Sequence, residues 1–171
     1  MHFLTAGTLT IAMAASFAIT PRTLAHRPPQ PSGDVELLSP LVGEWQSDTV
    51  MSVSARSSCA WTPRHGGVMC EQLVVSPSGT STALSLFTAD SATGEFVFYV
   101  MSRRGAVISP IPVSIHGPVW VYGGRKADDD GRFYRTVNDF SRTDAYDWRQ
   151  ETSRDGKDWS VGVHGQSRRV Q

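Results

Sequence analysis

From Trp45 onward the chain is a succession of six- to ten-residue runs rich in Val, Phe, Tyr, Trp, Thr and Ser, separated by short clusters of turn-forming residues. Such runs predict strands, and nothing in this stretch has the length or period of a helix. The breaks are "TPRHGG" near 65, "SPSG" near 78, "DSATG" near 92, "RRG" near 104, "HGP" near 117, "ADDDG" near 129, "SRT" near 142 and "SRDGK" near 155. A turn about every 12 residues is the spacing of an up-and-down meander or of a sandwich, with nine or ten strands in all. No repeat or second domain interrupts this all-β pattern.

Alternation within the runs assigns faces. In "DAYDWRQE", Tyr146 and Trp148 point one way and Asp147, Arg149 and Glu151 the other, which predicts one buried and one wet face. In "TALSLF", Leu84 and Leu86 share a face against Ala83 and Ser85. The run "EFVFYVM" is apolar on both faces, with Phe96, Phe98 and Val100 opposing Val97, Tyr99 and Met101. Such a strand should be covered on both sides or should meet a partner. Ahead of the strands, "VELLSPLVGEW" spaces Leu37, Leu38, Leu41 and Val42 as one short amphipathic helical turn, suited to plugging a barrel end.

The N-terminus changes the picture by placing the chain in a compartment. Residues 4 to 19, "LTAGTLTIAMAASFAI", are uncharged and mostly small or apolar, and Thr23 and Ala25 sit at the minus-three and minus-one positions of a cleavage site. Residues 1–25 thus read as a secretory signal, 26–36 as a Pro-rich linker, and 37–171 as the folded domain. The apolar run is shorter than the roughly 20 residues of a membrane span, and Pro21 ends it, so no stable membrane anchor is expected. Export to the periplasm or the extracellular space follows. Without the leader, 15 basic face 16 acidic side chains. Lys and Arg adjoin one another only in isolated pairs, Arg103-Arg104, Arg125-Lys126 and Arg168-Arg169, so nucleic acid is not an expected partner.

Export bears directly on the two cysteines, Cys59 and Cys70. Running "VMSVSARSSCAW" against "VMCEQLVV" with the cysteines opposite pairs 60 with 69 and 61 with 68, leaving "TPRHGG" as a six-residue loop. Directly opposed cross-strand residues lie within disulfide reach. A zinc site would need four ligands and only His65 is near; a redox pair has two residues between its cysteines, not ten; a nucleophile needs a free thiolate. A stapled hairpin is the expectation.

Other chemistry is sparse. The five histidines show no metal-ligand spacing, although His164, alternating with Val161 and Val163, occupies a place where an axial haem ligand could sit. There is no G-x-S-x-G elbow, P-loop or dinucleotide fingerprint. "DDDG" and "SRDGK" read as turns rather than calcium loops. No spacing nominates catalytic residues, metal ligands or a cofactor.

The order "LVGEW", "SCAWTPRHGGVMCE", "FTADSATGEFVFYVMSRRG", "WVYGGRK" and "ETSRDGKDWSVGVHGQSRR" resembles a family of exported bacterial lipocalin-like (calycin-type) domains of unknown function over about residues 37 to 169. The resemblance implies a single antiparallel meander closing into a β-barrel of about eight to ten strands. In lipocalin-type barrels the Gly-x-Trp motif, here Gly43 and Trp45, closes one end, and an Arg of the last strand, here Arg168 or Arg169, stacks on the Trp ring. The resemblance carries no catalytic residues. It carries no cofactor either, because "GEWQSDT" lacks the Gly-rich signature of haem barrels.

A barrel of this size either fills with side chains or holds one small molecule. Read that way, the lumen would take a small apolar or amphipathic ligand on Trp61, Leu84, Leu86, Phe96, Phe98, Trp120, Tyr122, Tyr146 and Trp148, with Arg135 as a polar anchor. The alternatives are a hydrolase or isomerase working in the barrel mouth with scattered Asp, Arg and Tyr side chains, and a filled barrel that meets a partner through strand 95–101.

Overall fold

In the computed structural model, residues 34–49, 53–102 and 110–170 are described. The expected leader, most of the linker and the Arg103-Arg104 turn lie outside them. After a 3-10 helix at Val35–Leu41, the strands are β1 Gly43–Thr49, β2 Ser54–Trp61, β3 Gly67–Ser76, β4 Gly79–Ala89, β5 Phe96–Ser102, β6 Ile111–His116, β7 Val119–Ala127, β8 Phe133–Asp139, β9 Ala145–Ser153 and β10 Ser160–Arg169. Each pairs antiparallel with its neighbours in sequence, and β1 pairs with β10 to close the barrel. The chain is therefore a meander, not a sandwich.

Turn chemistry imposes the meander. Between β6 and β7 only Gly117 and Pro118 intervene, and Gly117 takes φ 59°, a left-handed conformation open to glycine at little cost. At the second hairpin Thr62 N–H donates to Gly67 C=O at 2.9 Å, and Cys59 opposes Cys70 with 60 against 69 and 61 against 68, the expected register. Gly67 is required there because a side chain would collide with the Phe87 carbonyl.

The 3-10 helix begins at Val35, inside the expected linker, where the Asp34 carboxylate caps it by accepting from Glu36 N–H. Leu38 and Leu41 are buried, and the Trp45 indole donates to the Leu41 carbonyl at 2.7 Å. This plugs one end of the barrel. Behind it lies an aromatic floor in which Trp45 meets Tyr146 edge-on, Tyr146 meets Phe140, and Phe140 meets Trp120, at centroid distances of 4.9, 4.7 and 4.7 Å.

Register then decides what points inward. Opposed residues share a face, so Cys70 carries Ser85 and Val68 carries Phe87 into the barrel with Ala83 and Ala89. Leu84 and Leu86 consequently lie on the outer face, opposite Glu71 and Met69, which corrects their expected place in the lumen. Alternation defines two faces without saying which is inside, and on β4 the bulk that fills the core comes from Phe87. On β5, Phe96, Phe98 and Val100 face in and Val97, Tyr99 and Met101 face out. With exposed Met69, Leu73 and Val75, the outward residues of β3 to β5 form an apolar stripe.

Candidate functional site

Opposite the plug the barrel is open, and its lumen holds a cavity of about 1090 Å³. Leu41 and Trp45 border it on the closed side, together with the Cys59–Cys70 disulfide, Phe87, Phe98 and Tyr146. The disulfide joins strands whose Cα atoms are 4.0 Å apart, so the predicted staple also forms part of the cavity wall.

The wall between these rings carries uncharged polar groups: Ser57, Gln72, Ser85, Thr136, Asn138 and Gln150. Several are already engaged. Gln72 Nε2 donates to Ser57 Oγ at 3.3 Å and Ser85 Oγ to the Cys70 carbonyl at 3.4 Å, while beside the cavity Ser47 and Ser167 hydrogen-bond to one another and Ser167 to the Tyr146 hydroxyl. Burial raises the pKa of both Tyr122 and Tyr146, with Tyr146 adding to the effect on Tyr122, and outweighs the opposing hydrogen bonds from Asn138 and Ser167. Both phenols are neutral donors at ordinary pH. Arg125, Lys126, Asp128, Arg135 and Glu151 are the charged residues among those bordering the cavity, and they belong to its open side.

Of the residues expected in the lumen, Phe98, Tyr122 and Tyr146 line the cavity. Phe96 and Trp120 face inward but pack into the core, Trp120 at 1% exposure. Trp148 shares the inward face with Asn138 and Gly165 by register. Trp61 sits at the closed end, where its indole stacks on the His65 ring at 3.8 Å. His164 is exposed and pairs with Arg149 on the outer face, away from any lumen ligand.

Arg135 borders the open end but points away from the inward residues Thr136 and Asn138. Its Nε donates to Glu151 Oε2 at 2.5 Å, and its guanidinium lies 3.9 Å over the Trp159 ring. Arg149 binds the other Glu151 oxygen at 2.6 Å. Burial raises the Glu151 pKa, but the two guanidinium partners outweigh it and leave the carboxyl ionised at lower pH than usual. Both Arg135 and Glu151 are thus occupied with each other, which corrects the expectation of Arg135 as an anchor inside the lumen.

At the plug end, Arg169 rather than Arg168 stacks on Trp45, 4.3 Å from its ring. Arg168 is exposed and receives no such contact; its Nε donates to Gln166. Gly43 lies against Arg169 Nη1, where a side chain would collide.

The polar lining is what sequence reasoning missed. Ser57, Gln72, Ser85, Thr136, Asn138 and Gln150 carry no motif, yet each lies two or four residues from an inward hydrophobe or cysteine on its own strand or the turn beyond it. Phase counted from Phe140 would have found Asn138 and Thr136, and phase counted from Cys59 would have found Ser57. Among the described residues no three His, Cys, Asp or Glu side chains converge to hold a metal ion.

No protein-family model matches the chain, and no curated protein matches it. What stands is a closed ten-strand antiparallel barrel, compatible with a calycin-like architecture.

Proposed function

We propose that this domain is an exported, lipocalin-like binding module that carries one small, neutral, amphipathic molecule in its lumen. The observation that supports this reading most is the cavity itself. Its volume of about 1090 Å³ is just above the roughly 300–1,000 Å³ of small-molecule sites. Its wall combines aromatic rings with hydroxyls and amides. An ionised ligand taken into such a lumen would lose hydration with no counter-charge beside it, whereas a neutral molecule with one or two polar groups keeps its hydrogen bonds. Charged groups at the open side, paired as several of them are, set the field that steers or excludes ligands.

Export is supported by the Cys59–Cys70 bond, which persists in oxidising compartments. The experiment is native mass spectrometry of the protein purified from its own host. A discrete small-molecule adduct that dissociates on unfolding is the expected result, and a bare protein mass that also takes up no apolar probe would overturn the reading.

A further inference from the structure

Thr136 and Gln150 lie directly opposite one another on β8 and β9, and Thr152 is the next inward residue of β9, so the three sit side by side on the cavity wall. Among the described residues none of these side chains has a hydrogen-bond partner, and none is sealed off. Gln150 is exposed and the two threonines are half-buried, whereas the unpartnered side-chain atom that is closed to the cavity is Asn138 Oδ1. Directly opposed side chains start about 5 Å apart and diagonal neighbours about 7 Å, so two hydroxyls and an amide form a strip that can meet two polar groups of one ligand.

The wall across the lumen is of the other kind. β4 is five strands from β9 either way round the closed barrel and so faces it. With its neighbour β5 it presents Ala83, Phe87, Phe98 and Val100 to the cavity, and its polar lining residue, Ser85, already donates to the Cys70 carbonyl at 3.4 Å. A polar group turned toward β4 and β5 loses water and gains no partner; turned toward β8 and β9 it meets open donors and acceptors. The lumen is thus polar along one side, not merely at one end.

Resting on the lumen reading above, we propose that Thr136, Gln150 and Thr152 form a hydrogen-bonding strip that selects flat neutral molecules carrying their polar groups along one edge. Two isomers with the same apolar body and the same hydroxyls test this: 2,7-dihydroxynaphthalene has both on one long edge, and 2,6-dihydroxynaphthalene has them on opposite edges. Isothermal titration calorimetry measures each, with Nile red as an independent reporter of lumen access.

The wild-type domain should bind the 2,7 isomer about fivefold more tightly, the increment of a single neutral hydrogen bond. The double variant Thr136→Val, Gln150→Leu should bring the two affinities within about twofold while keeping that of the 2,6 isomer, because the strip is lost and the apolar wall is not. Each single variant should shrink the preference and serves if the double variant does not fold. Ser85→Ala, on the facing wall, should leave the preference intact. Equal affinities in the wild type, a preference for the 2,6 isomer, or a preference that survives in the strip variants would overturn the strip while Nile red binding left the lumen reading standing. If neither isomer nor Nile red enters, the lumen reading fails and the strip with it.

Discussion

Arg169, the last residue of β10, lies over the ring of Trp45 near the start of β1, with its guanidinium carbon 4.3 Å from the ring centroid. The same side chain donates to the carbonyls of Val42 at 2.6 Å and Thr143 at 3.1 Å. One guanidinium thus ties the closing seam of the barrel to the end of the plug helix and to the turn between β8 and β9. Gly43 leaves the room for it.

Arg169→Ala should therefore lower unfolding stability by about 2 kcal/mol, a sum of ring contact and charged hydrogen bonds tempered by exposure. Arg169→Lys should recover less than half of that, since an ammonium cannot stack flat and reach two carbonyls at once. Urea denaturation measures both. Arg168→Ala, on the outer face, should change little.

Removing the disulfide should leave the register but weaken the fold. Closing a loop of sequence separation 11 stabilises by about 2 to 3 kcal/mol in the chain-entropy account. The double variant Cys59→Ala, Cys70→Ala should show a lower melting temperature that a reductant no longer affects, whereas the wild type should lose a similar amount on reduction.

At low pH the turns should weaken. Asp90 accepts from Ala92 and Thr93 N–H, and Asp155 from Lys157 and Asp158 N–H, and these bonds hold both carboxyls below the usual aspartate range. Folding then favours the ionised form, so the contribution is complete above the unfolded pKa of about 4 and disappears as pH falls through the lowered folded values. Asp90→Asn and Asp155→Asn keep an acceptor but not a titration, and each should flatten the acid limb of stability measured by urea midpoint against pH.

At high pH the sign reverses. Burial raises the pKa of Tyr122 and Tyr146, so the fold favours their neutral forms, and stability is held below the unfolded pKa of about 10 and lost as pH rises past it. In a spectrophotometric titration these two of the four tyrosines should ionise only when the barrel unfolds, giving a steep step rather than a gradual curve. Tyr122→Phe should make that step smaller.

The barrel and its staple were legible in the sequence because turn residues and the cysteine pair act locally: a Gly-Pro turn or a cross-strand register needs only neighbouring residues. The inside of the barrel was less legible. Leu84 and Leu86 read as core by size, and only their pairing with Glu71 and Met69 on β3 shows them outside. Arg135 was legible as the one cation of β8, but its Glu151 and Trp159 partners come from β9 and the segment entering β10, further along the chain. Asn138 and Gln150 were invisible for the opposite reason. They are ordinary polar residues whose interest comes solely from facing a cavity that ten strands enclose.

Whether the lumen is open to small neutral molecules is decided by Nile red titration of the wild-type barrel beside Ala83→Trp. Ala83 borders the cavity on β4, across the barrel from the β1–β10 seam, so an indole there would occupy the lumen. Saturable binding to the wild type with a blue-shifted emission, lost in a folded Ala83→Trp, is the predicted result. Equal binding to both proteins, or none to the wild type, would contradict it.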